Sequence, residues 1–428
     1  MMRFIILIFL WIQAINAQIW SLDSCIKQAL LSNLSYEAAK LNEKSASIAL
    51  QKAKSSRYPD LSVSINNSLS DRPFVKSPQD HYRLSAGLSS SMNLWDGGVT
   101  RQNIESKSLY YQSVLLDIEQ NKLELLESVV TLFVSVVSAK ESVKIAEASL
   151  YLAQEETKKM EFLLEAGTKT PKDLILSKAN LSQKNLLLLL AKQSYESERN
   201  ALRQLLNLPR DMDFDLHSAD WEKIKPQDLK NEVPLEVLLN AALQNSPKMK
   251  SDSLHLLISK KEEFMASKTS SIKVSLGASA STGWSAWESK DYPNQVKETY
   301  SHGISLGVSI PILDRSATKN NVLQAQINAL QSQIQHKNSK KQLENLLELL
   351  YLNTLSSISQ WEAAILETEA ATEAFRVIGE QWSLGLISYT EFLEQKNKLE
   401  AAEFNQNKAK YNSILYQKKL ELYYSFPI

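Results

Sequence analysis

From Leu125 to Ala153 an apolar or small residue recurs at alternating steps of four and three: Leu125, Val129, Leu132, Val136, Ala139, Val143, Ala146, Leu150 and Ala153. That is a heptad stripe, the signature of a helix packed lengthwise on other helices. A second stripe, through Leu116, Leu123, Leu126, Val130, Phe133 and Val137, runs beside it. One helix with two such stripes packs against neighbours on both sides, as in the wall of a bundle or tube. The spacing predicts a helix over about 98–164. At 1.5 Å per residue it is about 100 Å long. No compact domain encloses such a rod, so it must lie in an extended coiled assembly.

The stripe occurs twice. Leu343, Leu347, Leu350, Thr354, Ser357, Trp361, Ala364, Thr368, Ala371, Phe375 and Ile378 repeat it 218 residues later, in a helix expected over about 317–382. Residues 22–69 align with 235–282 at an offset of 213, and the offset becomes 218 from "LWDGG" onward. The added residues fall in a loop around 284–299 that carries Trp284 and Trp287. The chain is therefore two copies of one unit, 18–205 and 235–428, joined by a proline-bearing linker over 206–234. Each copy reads as a helix (22–57 and 235–268), two strands, the long helix, a glycine turn and a last helix (171–205 and 388–424). Only 10 glycines and 11 prolines interrupt 428 residues, which agrees with long elements.

The strands, expected over about 59–70, 82–95, 272–283 and 300–313, alternate strictly. Leu84, Ala86, Leu88 and Met92 face one way; Ser85, Gly87, Ser89 and Asn93 face the other. Apolar residues on one face and small polar ones on the other fit a transmembrane β-barrel, with lipid outside and water inside. Four strands cannot close one, since about eight are needed. Open edges in lipid leave backbone groups unsatisfied. The strands must be shared between subunits. Two chains give eight, a filled barrel; three give twelve, with room for a passage.

The start, "MMRFIILIFLWIQAINAQ", reads as a secretory signal over 1–17, with Arg3 before a short apolar run and small residues from Ala14 to Ala17. The alternative is an apolar first helix of a cytosolic protein. Cys25 is the only cysteine, so no internal disulfide forms. "LDSC" is superficially like a lipidation box, but Asp23 spoils it, and a buried thiol in a first helical turn is the better reading. The net charge is zero, which gives no reason to expect nucleic acid. His81, His217, His255, His302 and His336 are scattered without ligand spacing, and no phosphate loop, dinucleotide fingerprint or nucleophile elbow occurs. We expect no catalytic residue, no cofactor and no metal, hence no enzyme.

Three stretches carry most of the remaining information: "LWDGG", "LEAGTKTPKDL" and "LGLISYTEFLE". In their order and doubling, with the leader and the paired strands, they resemble the TolC-type outer-membrane factor family over nearly the whole mature chain. The resemblance implies a mainly helical homotrimer in the outer membrane of a Gram-negative-type bacterium. It has a twelve-stranded barrel, four strands per chain, continued by a long α-helical barrel through the periplasm. It implies a passive exit duct for efflux or type I secretion. The partners are a periplasmic membrane-fusion adaptor and an inner-membrane pump (RND, ABC or similar). The competing reading is a secreted coiled-coil structural or adhesion protein without a pore.

The resemblance also names residues. Ala166, Gly167 and Thr168 match one periplasmic tip, and Leu384, Gly385 and Leu386 the other; both are expected to contact the adaptor. Glycine has its own reason there, as the left-handed residue that ends a helix. Glu391 and Glu394 match the family's aperture carboxylates, with Asp173 as the first copy's acid and Trp382 as a latch aromatic. Asp173 and Glu391 also read as capping-box acids after Thr170 and Ser388. The basic latch partner of some members is absent: Ile387 stands there. Asp96, Gly97 and Asp314 sit where a strand becomes a helix, and are assigned structure only.

Overall fold

The computed structural model describes residues 18–70, 81–217, 221, 223–230, 233–286 and 290–425. The secretory signal over 1–17, Trp287, and the loop 71–80 between the first two strands lie outside the described residues. The chain divides into two compact units. One comprises 119–246 and 342–428 with the N-terminal part up to Ala39; the other comprises Lys40–Ile118 and Pro247–Lys341.

In chain order the elements are β1 (Gln18–Trp20), α1 (Leu22–Ser32), α2 (Leu34–Ser55), β2 (Ser62–Ser70), β3 (His81–Trp95), α3 (Val99–Glu165) and α4 (Pro171–Leu205). The second copy follows after β4 (Phe214–Leu216) and a 3-10 turn (Pro226–Leu229): α5 (Leu235–Asn245), α6 (Pro247–Ser267), β5 (Lys273–Ser285), α7 (Tyr292–Thr299), β6 (Ser301–Ser309), α8 (Ala317–Ser383) and α9 (Tyr389–Ser425). Helices α3 and α8 are 67 residues each.

Four sequence expectations need correction. The first helix of each copy is two helices, not one, and both breaks fall at the same place in the repeat. Asn33 and Ser246 are 213 residues apart. Each closes one helix through its own N–H, to Ala29 O at 2.9 Å and Ala242 O at 2.8 Å. Asn33 then accepts from Tyr36 N and starts α2. Pro247, which has no N–H and disfavours helical geometry in the residue before it, forces the second break. The last strand ends at Ser309 rather than 313, because Pro311 has no N–H for a ladder. The first strand begins at Ser62 rather than 59. Finally, 284–299 is not all loop: β5 runs to Ser285, and α7 lies against its outer end. Ladder pairing of β5 with β6 stops at Ser281↔Ser301. Beyond it the β5 N–H groups of Gly283 and Ser285 donate to Thr299 Oγ1 and Gln295 Oε1 of α7.

In the first unit the stripes bury as expected. Val129, Phe133, Val136 and Leu347 are fully buried, and Ala146, Ala153, Trp361 and Ala364 nearly so. The core around Val129, Phe133, Val136 and Trp361 takes in Phe214 and Leu216 of β4, Trp20 of β1, and Tyr411 and Ile414 of α9, while Leu347 packs in a second cluster with Leu238, Ala242, Leu350 and Leu420. The joint between copies is thus part of the core: β4 pairs in parallel with β1, and Lys140 holds Asp215 at 2.6 Å. Cys25 lies in this core at zero exposure, and burial pushes its thiol up to about 12.

In the second unit the sheet is antiparallel in the order β2-β3-β5-β6. The helices joined to these strands follow the same order. Tyr111 of α3 donates to Glu43 of α2. Ser251 and Lys261 of α6 donate to Asp117 and Glu105 of α3. Ser259 of α6 meets Ser332 of α8 at 2.7 Å. The order α2-α3-α6-α8 therefore continues β2-β3-β5-β6, and the edge strands adjoin the edge helices.

The strand-to-helix corners have one backbone form in both copies. Gly97 and Gly98 have φ of 72° and 87°. Their counterparts at the 218 offset, Arg315 and Ser316, have φ of 53° and 65°. The second corner thus keeps the left-handed pair without glycine. A Cβ in that region costs about 1–2 kcal/mol per residue. Glycine loses about 0.5–1 kcal/mol of that gain through its freer unfolded chain. Ser316→Gly is expected to raise the melting temperature slightly, for a gain of up to about 1 kcal/mol. An unchanged or lower melting temperature in thermal denaturation would contradict the strain.

Candidate functional site

Each tip is a helix end built by backbone geometry. Gly167 and Gly385 have φ of 73° and 74°. Gly167 N donates to Leu164 O and Thr168 N to Leu163 O, both at 2.9 Å. Gly385 N and Leu386 N repeat the pattern onto Trp382 O and Gln381 O. These are Schellman endings, in which a left-handed residue lets two further N–H groups reach back to the last carbonyls. A capping box starts the next helix in each copy. Thr170 N donates to Asp173 Oδ2 at 3.1 Å and Asp173 N to Thr170 Oγ1 at 3.3 Å. Ser388 and Glu391 exchange the same pair at 3.2 and 3.3 Å. The side chains of Leu384 and Leu386 stand exposed at 74% and 70%, so the second tip offers apolar surface to whatever meets it.

The two tips are joined by one aromatic cluster. Trp382 stacks on Phe392 at 4.4 Å, near Tyr389 at 5.9 Å, with Met160 of α3 buried among them. Two lysines of the first copy cover the indole: Lys169 Nζ is 5.0 Å and Lys159 Nζ 5.5 Å from its centroid. Ile387 packs into the same cluster as an apolar residue. The cations beside Trp382 thus come from the other hairpin and not from position 387.

The carboxylates differ in circumstance. Asp173 and Glu391 are occupied in their boxes, whereas Glu394 carries its own cation: Lys398 Nζ lies 2.8 Å away, one turn on. The hydrogen bond from Lys398 lowers the Glu394 carboxyl from its ordinary value.

Sequence reasoning missed a buried ionic layer between the hairpins. Lys396 of α9 reaches Glu156 of α3 at 2.9 Å, and Lys184 of α4 is paired with Glu400 of α9 and with Asn397 at 2.8 Å. Both lysine side chains are 4% exposed. Glu403, half-buried beside Glu400, is pushed up first by desolvation and then by that neighbour's charge. The only sequence signal was a lysine on an apolar face, which does not distinguish a snorkelling side chain from a buried one.

The corners hold the sheet to its helices. Asp96 accepts from Gly98 N, Thr100 N and Thr100 Oγ1, and Asp314 accepts from Thr318 N at 2.9 Å. Those hydrogen bonds from Thr318 pull the Asp314 carboxyl down. A bulge between Asn93 and Trp95 shifts the register, so that Trp95 pairs with Val274 and joins the apolar face. At the other end of β5, Trp284 meets Tyr82 edge-on at 5.6 Å. The ten residue-to-residue steps from 274 to 284 span about 33 Å of strand. Tilted by about 40°, they cover about 25 Å of height, the apolar band of an outer-membrane barrel. Aromatic rings mark both of its ends. No helix among the described residues is long and apolar enough to cross a membrane.

A family model described as outer membrane efflux protein matches residues 25–208 and 238–423. No curated protein sequence matches the chain. Among solved structures, CusC, crystallised in work on folding and transmembrane channel formation, superposes with a TM-score of 0.79 at 18% identity over 94% of this chain and 91% of its own. The Campylobacter jejuni CmeC outer membrane channel gives 0.75 at 19% identity, over 93% and 85%. The outer membrane protein VceC of Vibrio cholerae gives 0.76 at 13% identity, over 94% and 95%. At these identities the superpositions speak for the fold.

Proposed function

The chain belongs to the outer membrane efflux protein family, and from that premise we propose that three copies close a twelve-stranded barrel in the outer membrane and continue it as a helical tube. The protein is an outer-membrane efflux channel. In our reading it acts passively, and its tips, Ala166–Thr168 and Leu384–Leu386, dock on a periplasmic adaptor fed by an inner-membrane pump.

One observation carries the shared barrel. Both edge strands, β2 and β6, are exposed along their whole length. Each adjoins an edge helix with an unpartnered heptad stripe: Leu34, Leu41 and Ile48 on α2, and Leu323, Leu330, Ile327 and Ile334 on α8. Free backbone edge and free apolar stripe thus run in one line on either side of the unit. A copy placed with its β6 and α8 against the β2 and α8-facing stripe of α2 satisfies both. A secreted adhesin has no use for such a pair of edges.

Conduction tests the aperture. The reconstituted protein is expected to pass a cation-selective current in planar bilayers, blocked by trivalent cations at the acid rings. Because Glu394 brings Lys398 with it, the charge is supplied by Glu391, which has no cationic partner among the described residues. Glu391→Gln should therefore weaken selectivity and block more than Glu394→Gln, and the double variant most. Wild-type selectivity and block in the double variant would remove the aperture assignment while leaving the channel.

A further inference from the structure

The polar face of the sheet is nearly free of charge. On β2, β3, β5 and β6 its positions hold serine, glycine and asparagine, with His81 and only two residues ionised at neutral pH, Arg83 and Lys273. Serine and glycine line a passage without choosing what enters it. Any preference on that face therefore comes from the cations.

The two differ in their surroundings. Lys273 begins β5, at the end of the sheet joined to the helices. A carboxylate shares that end: Asp60 Oδ1 accepts from Ser91 N at 2.6 Å and from Ser91 Oγ at 2.7 Å, and Ser91 pairs with Gly277, one turn of pleat from Lys273. Arg83 stands at the opposite end, between Ser68 of β2 and Ser285 of β5. Its side chain is exposed and has no ion-pair partner among the described residues. Asp60, level with Ser91, is eight residues away along β3. That is about 27 Å of strand, against a screening length of about 10 Å at 0.1 M salt. The other described charges at this end, Lys290, Asp291, Lys297 and Glu298, are two of each sign. They belong to α7 and the turn before it, on the edge of β5 beyond β6. The loop 71–80 likewise carries two of each sign.

The inference rests on the three-copy barrel proposed above. At about 4.8 Å between strands tilted by about 40°, twelve strands close a backbone ring of about 12 Å radius. An arginine from each copy crosses a good part of that radius, whereas serine and glycine stay at the wall. Low-dielectric walls focus the field of such a ring, and rings of arginine or lysine serve anion and phosphate pores. The guanidinium fork matches phosphate oxygens two at a time. We propose that three copies of Arg83 form a binding ring for multiply anionic, phosphorylated solutes at the mouth of the barrel away from the helices. Its sign is opposite to that of the aperture carboxylates.

The test uses single channels in planar bilayers at about 0.1 M salt and inositol hexakisphosphate, a compact polyanion. Protein added to one chamber keeps its helical part there, because only the sheet suits lipid, so the far chamber faces the Arg83 mouth. Far-side polyanion is expected to block the wild-type current in a saturable way, and near-side polyanion far less. Arg83→Ser, which places there what most of the face already holds, should weaken far-side block by about tenfold or more, the loss of a charge-assisted hydrogen bond. Arg83→Lys should be blocked more tightly than Arg83→Ser, and Lys273→Ser like wild type. If Arg83→Ser yields no channels, Arg83→Gln keeps the length without the charge and is expected to show the same loss. A wild-type current that far-side polyanion leaves unchanged, or equal block in a conducting Arg83→Ser or Arg83→Gln channel, overturns the ring and leaves the channel reading standing. No current from wild type removes the three-copy channel, and the ring with it.

Discussion

Gly97→Ala is expected to abolish folding of the sheet-bearing unit, although it adds one methyl group. A Cβ at Gly97 would stand 2.7 Å from both Cβ and Oγ of Ser271, while φ there is 72°. Ser271 is a short side chain just before β5, and its Cβ moves only with its backbone. Relief therefore requires shifting the entry to β5, which is paired along twelve positions with β3. Left-handed strain alone costs about 1–2 kcal/mol, and overpacking a fitted contact adds about 1–3 kcal/mol. The neighbouring Gly98 isolates the two effects: φ is 87°, but nothing lies within 4 Å of its would-be Cβ. Gly98→Ala should thus lose only the left-handed cost and still assemble, whereas Gly97→Ala should yield no heat-stable oligomer on native electrophoresis. Equal melting temperatures for the two variants would show that the approach to Ser271 is not a constraint.

The same corner illustrates what a sequence does and does not disclose. "DGG" announces a left-handed turn, because only glycine enters that region freely. "DRS", its counterpart, announces nothing, yet Arg315 and Ser316 take the same form. The repeat conveys the geometry that the residues conceal. Heptad stripes, tip glycines and capping boxes are legible for a related reason: each depends on residues within one or two turns. What escapes is set by distant partners. The flip of Trp95 onto the apolar face follows from a bulge against β5, which strict alternation assigned to Leu94 instead. The burial of Lys184 and Lys396 depends on two helices closing over them from elsewhere in the chain. Helix α7 arises because β5 outlasts β6, leaving N–H groups that Thr299 and Gln295 satisfy. The 284–299 stretch by itself, with Pro293 and its charges, reads as a loop.

Ile65→Pro is expected to leave each chain helical and to prevent the chains from joining. Asp60 N donates to Ser91 O at 3.0 Å, in the register that pairs Ser62 with Ser89. Even-numbered residues of β2 therefore direct their backbone groups at β3, and odd-numbered ones, Val63 and Ile65 among them, direct theirs at the free edge. Proline at 65 removes no bond within the chain, which is the position an edge strand tolerates. For a neighbouring strand at about 4.8 Å it removes a donor and inserts a ring. Within lipid an unmet carbonyl costs several kcal/mol, and the ring of three proposed above would meet that cost at every seam. Circular dichroism should therefore show near-native helix, while crosslinking and native electrophoresis show monomer. Ile65→Val, which keeps the N–H and the apolar face, should assemble normally. A proline variant that forms oligomers as heat-stable as wild type would mean that β2 has no partner strand. The chain would then have to bury or blunt that edge by some means other than a second copy of itself.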